Sequence, residues 1–142
     1  MKISNLLSPL WWGVIAVLPF GVDAAQASNR TYDGYLLDKQ CSEAVRHDSN
    51  PLDFIMHHTR DCCLMLNCQK KGYCLYTNGT WLTLDSQGNK LAISALKQSQ
   101  KNSAIYVRMQ GVAKKGLLIV KSVAEIQQPN SLSVSGDGQN AQ

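Results

Sequence analysis

GYCLYTNGTWLTLD, residues 72–85, sets Asn78-Gly79 between two β-prone runs. Asn-Gly accepts positive φ at both centres of a two-residue turn, so the stretch reads as a type I′ hairpin. Such a turn fixes the register. Thr77 should oppose Thr80, Tyr76 oppose Trp81, Leu75 oppose Leu82 and Cys74 oppose Thr83. One face then carries Tyr73, Leu75, Leu82 and Leu84 and should be core. The other carries Cys74, Tyr76 and Trp81, two aromatics and a thiol that are out of place in water. A cover is expected over them, and the Cys-rich segment just upstream is the available one. Tyr76 with Trp81 can also be read as a ligand-stacking platform, although packing beneath a cover is the simpler reading.

Working outward, Thr31–Leu37 (TYDGYLL) reads as a first strand, with Gly34 at a bulge or bend. Asp38–Asn50 is polar and reads as irregular. Pro51 to about Met65 is expected to be one helix, capped near Asn50, with Phe54, His58, Cys62 and Met65 on one stripe. Past the hairpin, Asp85–Asn89 reads as a turn and Lys90–Lys97 as a short helix capped by Asn89. Ala104–Val112 alternates Ile105, Val107 and Met109 inward. Leu117–Ile126 is the last strand, and its alternation slips near Lys121-Ser122, the mark of a bulge. The expected fold is mainly β. It is a small five-stranded OB-type barrel with a Cys-rich helical insert between strands 1 and 2 and a short helix between strands 3 and 4. A small open sandwich of the same strands is the alternative.

Residues 1–27 have the layout of a secretory signal. Lys2 precedes an apolar run, Leu6–Val22, and Ala25-Gln26-Ala27 supplies small residues for cleavage. Pro9, Pro19 and Asp23 leave too short a span for a stable membrane anchor, so none is expected after cleavage. The expected division is signal peptide 1–27, OB-like domain 28–127 and disordered tail 128–142, with a periplasmic or secreted destination. The formal charge of +4 is spread along the chain and does not argue for nucleic acid. No GxSxG or HExxH is present, and the available Ser and Asp residues lie in turns with no paired histidine, so no catalytic or cofactor-binding residues are assigned.

The chemistry concentrates in His57–Cys74, HHTRDCCLMLNCQKKGYC, which holds four of the five cysteines and two of the three histidines. On a helix, His58 and Cys62 would project from one face, as a tetrahedral ion requires. Gly34-Tyr35-Leu36-Leu37-Asp38 with Cys41, then HTRxCxLMxxC over His58–Cys68, then Gly72-Tyr73, Gly79, Asp85 with Gly88-Asn89, and Gly111 form a wider pattern. It resembles a family of uncharacterised exported bacterial proteins of OB-like fold, over about Thr31 to Ile126. The resemblance implies a fold and an address more than a reaction. Its pattern carries Cys41, His58, Cys62 and Cys68, which become the candidate metal ligands, with zinc or copper as the ion. The chain adds Cys63 and Cys74 to that pattern, and their joint presence suggests a Cys63–Cys74 disulfide.

Three functions are weighed. The first is an exported, non-enzymatic binding module holding a soft metal ion. The second is a disulfide-stapled interaction protein that meets an unknown protein partner and holds no metal. The third is a thiol redox protein, which the absence of CxxC disfavours.

Overall fold

The computed structural model describes residues 28–129. The signal-peptide reading of residues 1–27 and nearly all of the expected tail, from residue 130 onward, lie outside the described residues. Ten elements follow in order. They are β1 (Arg30–Asp38), α1 (Lys39–Ser42), α2 (Leu52–His57), α3 (Arg60–Cys63), α4 (Leu66–Lys71), β2 (Tyr73–Thr77), β3 (Thr80–Leu84), α5 (Ser86–Gln98), β4 (Tyr106–Lys114) and β5 (Leu117–Glu125).

The five strands close into a barrel in the order β1-β2-β3-β5-β4. The Asn78-Gly79 turn has φ of 47° and 75°, and the β2–β3 register is the one the turn dictates, Thr77 opposite Thr80 through Cys74 opposite Thr83. β1 serves two neighbours. Its first half pairs with β4, and from Tyr35 onward it pairs with β2. Gly34 lies at that handover, and a Cβ there would collide with the Tyr76 carbonyl oxygen, so the close approach of β2 requires glycine. A short parallel pairing of Thr83–Leu84 with Leu117–Leu118 closes the barrel. Gln110 pairs with Ser122 while Gly111 pairs with Val120, leaving Lys121 as the extra residue of a bulge.

Tyr73, Leu75, Leu82, Leu84, Val107, Met109 and Leu118 fill the interior, joined by Ala92 and Leu96 from α5. The α5 helix starts earlier than its apolar pattern suggested. Asp85, not Asn89, is its cap, with Oδ1 accepting from Gly88 N at 2.9 Å. Asn89 is used elsewhere, its side-chain oxygen accepting from Tyr73 N at 2.9 Å. Tertiary bonding took the residue that local propensity assigned to the helix end.

A second core lies outside the barrel wall. Tyr35, Leu37 and Cys74 pack there against Ile55, with Phe54, Tyr76, Trp81 and Tyr106 around them. The hairpin's aromatic face is therefore partly covered, and the cover is α2, which carries none of the cysteines. Trp81 and Tyr76 pack ring to ring at 4.7 Å, and the Arg46 guanidinium sits 5.8 Å from the Trp81 ring centre.

The single helix expected from Pro51 to Met65 is not formed. The chain breaks at His58 and Thr59, both extended, and stops again at Met65, so the span holds two helices, of six and four residues, before α4 begins at Leu66. The break has identifiable causes. Thr59 caps α3 through its hydroxyl, which accepts from Cys62 N at 3.2 Å, and it forms a bridge to Ser103. Arg60 N donates to Asn102 O at 2.8 Å, and the Arg60 guanidinium donates to Ser99 O at 2.8 Å. Periodicity sees only the apolar stripe, whereas these bonds to the segment after α5 need extended backbone.

Candidate metal centre

The site is assembled where β1 ends. Leu36 and Leu37 place β1 in the two cores, and Asp38, the last residue of the strand, is fully buried. A carboxylate in such a position needs partners. Asp38 Oδ1 accepts from Cys41 N at 2.8 Å, which caps α1, and Oδ2 lies 2.7 Å from His58 Nε2. His58 in turn stacks on Phe54, with ring centres 5.1 Å apart. Burial pushes the Asp38 carboxyl up, but the His58 and Cys41 bonds outweigh it and hold the group below its usual range.

Around this carboxylate stand sulfurs from three short helices. Cys41 comes from α1, Cys62 from α3 and Cys68 from α4. One ligand atom from each of Asp38, Cys41, Cys62 and Cys68 lies within 4.8 Å of every other. The Cys41 and Cys62 Sγ atoms are 3.8 Å apart. Two thiolates bound tetrahedrally to one ion at about 2.3 Å would be about 3.8 Å apart, so this pair already has the needed spacing. Asp38, His58 and Cys63 form a second close group within the same limit.

Three of the four ligands expected from the sequence, Cys41, Cys62 and Cys68, are thus brought together. The fourth, His58, reaches this group through Asp38, and Asp38 itself takes the fourth position. Sequence reasoning passed over Asp38 because the segment from 38 onward reads as irregular and polar. A signal was present: an Asp ending an apolar strand is a good helix cap, and a cap carboxylate is fixed in place beside the third residue of its helix, here Cys41.

The expected Cys63–Cys74 disulfide is not formed, and all five cysteines are free thiols. The two belong to different cores. Cys63 is packed in the barrel interior beneath Tyr73, whose hydroxyl donates to the Cys63 carbonyl at 2.8 Å. Cys74 faces outward into the α2 core, with its Sγ bonded to Ser42 Oγ at 3.2 Å. Successive strand residues point to opposite faces, so the register that puts Tyr73 inside sends Cys74 out.

Cys41, Cys63 and Cys68 are held in the neutral form. Burial, then the negative charge of Asp38, pushes Cys68 up to about 11 and raises Cys41 further. Burial pushes Cys63 up to about 12. A divalent cation among these groups would reverse the balance, because it repays the burial of thiolates and displaces their protons. Asp38 can still contribute, since a carboxylate has about four acceptor sites and, besides the Cys41 amide and His58, it bonds only the Cys68 thiol, whose proton a bound cation would displace.

The fold and site together define a closed five-stranded OB-type barrel carrying a partly buried thiol–carboxylate cluster in the insert between its first two strands. No family model, curated protein or solved structure matches the chain.

Proposed function

We propose that this chain is an exported, non-enzymatic binding module that holds one soft metal ion through Cys41, Cys62, Cys68 and Asp38. His58 orients the Asp38 carboxylate from behind. The observation that carries the reading is the mutual approach of these four residues within 4.8 Å at the meeting point of β1 and three short helices. Three sulfurs and one oxygen suit tetrahedral zinc, whereas copper(I) would use the three sulfurs and leave the carboxylate aside. Zinc is the ion this donor set favours. The export reading rests on the layout of residues 1–27, and kinship with the exported family rests on the HTRxCxLMxxC pattern.

The test is elemental analysis of protein purified without chelator, followed by titration of the metal-free form with zinc and with copper(I). One equivalent of metal is expected, lost in Cys41→Ser, Cys62→Ser and Cys68→Ser. Asp38→Asn should weaken zinc by at least about tenfold and change copper(I) little. Retention of stoichiometric metal in all three cysteine variants would refute the assignment.

A further inference from the structure

Cys41 and Cys62 are 21 positions apart, yet their sulfurs touch at 3.8 Å. A disulfide bond is about 2.0 Å long, so the two sulfurs need approach by only about 1.8 Å. Their surroundings differ. Cys62 lines an open cleft of about 430 Å³ together with Phe54, His57, His58 and Thr59, and Cys41 does not line it. A cleft of several hundred Å³ admits a small molecule. Cys63 and Cys68 are buried, and Cys41, half-buried like Cys62, lies outside the cleft lining, so Cys62 is the thiol that a small reagent in the cleft meets first.

We infer that Cys62 is the entry thiol and Cys41 the resolving thiol of a reversible disulfide formed with low-molecular-weight disulfides such as oxidised glutathione. The inference deepens the metal reading, because the two sulfurs are also proposed ligands, but the exchange itself needs no ion. Cys62, deprotonated, attacks one sulfur of oxidised glutathione. The sulfur–sulfur bond breaks, one glutathione leaves and takes up the proton, and the other stays on Cys62 as a mixed disulfide. Cys41 then loses its proton, attacks Cys62 Sγ and expels the second glutathione, which is protonated in turn. Two protein thiols become one disulfide by losing two electrons, and oxidised glutathione gains both as two thiols. The new bond ties α1 to α3 and removes two of the three sulfurs from the ion. Metal and disulfide therefore exclude each other.

The test incubates reduced, metal-free full-length protein with oxidised glutathione, blocks remaining thiols with iodoacetamide and maps the peptides by fragmentation mass spectrometry. A Cys41–Cys62 link is expected, retained in Cys63→Ala. Cys41→Ser should trap glutathione on Cys62, and Cys62→Ser should take up at least tenfold less. Prior loading with zinc at ten times its dissociation constant should slow the link about tenfold. A link that forms while zinc fails to bind would sink the metal reading and leave this one standing. Zinc binding without a link, a link from Cys62 to Cys63 or Cys68, or glutathione arriving first on Cys41 would overturn the inference.

Discussion

The barrel and its insert are built on different physics. The barrel is held by long antiparallel ladders around an apolar interior in which Tyr73, Val107, Met109 and Leu118 are wholly buried. The insert has four helices of four to six residues, too short to persist alone, so it depends on caps and single polar bonds. Its centre is a buried charge, Asp38, surrounded by thiols. A region of low intrinsic order that is pinned at a few points can place donors from three segments around one spot, which a regular sheet cannot do. The cost is that each pin matters.

The contrast can be broken first at the barrel. Leu75→Ala should cost about 2–5 kcal/mol in urea unfolding and take both regions down in one transition, because α2 rests on the outer face of the same strands. If the insert melted separately, the two would not be one cooperative unit. Asp38→Ala is the next largest. It strands buried His58 and the Cys41 amide and should cost about 3 kcal/mol, with the loss seen by hydrogen exchange mainly in α1 and α3 rather than in β4 and β5. Thr59→Ala removes only the α3 cap and should cost about 1 kcal/mol, loosening the insert while barrel amides keep their protection.

The smallest effect sharpens the other side. Asp33 on β1 makes two bonds to Arg108 on β4, at 2.8 and 2.6 Å. The Arg108 side chain holds the Asp33 carboxyl below its usual value. A lowered folded value means the contribution is full above the ordinary carboxylate pKa of about 3.9 and disappears as pH falls through the folded value. Arg108→Ala should therefore lower the thermal midpoint slightly at pH 7 and leave it unchanged near pH 2, as differential scanning calorimetry would show. The pair is surface-exposed, so a large drop at pH 7 would contradict this account.

The barrel was legible because its signals are local or strictly periodic. Asn78-Gly79 fixes one register, Ile105, Val107 and Met109 alternate inward, and the slip at Lys121 is visible as a break in period two. The covered aromatic face of the hairpin also followed from period two alone. The insert was legible in composition but not in shape. Cys41, Cys62 and Cys68 could be chosen as donors, whereas the break at Thr59 depends on the segment at Ser99–Ser103, whose approach no local pattern encodes. Asp38 was missed for a related reason. Its role comes from burial, and burial of a carboxylate is decided by what folds over it.

The central claim is that three cysteines and a carboxylate drawn from β1, α1, α3 and α4 hold one ion. Zinc-edge X-ray absorption of the zinc-loaded protein tests it most directly. Three sulfurs at about 2.3 Å and one oxygen at about 2.0 Å are predicted, and no such shell in Cys68→Ser, which should not hold the ion. A shell of nitrogen and oxygen alone, unchanged in that variant, would contradict the account.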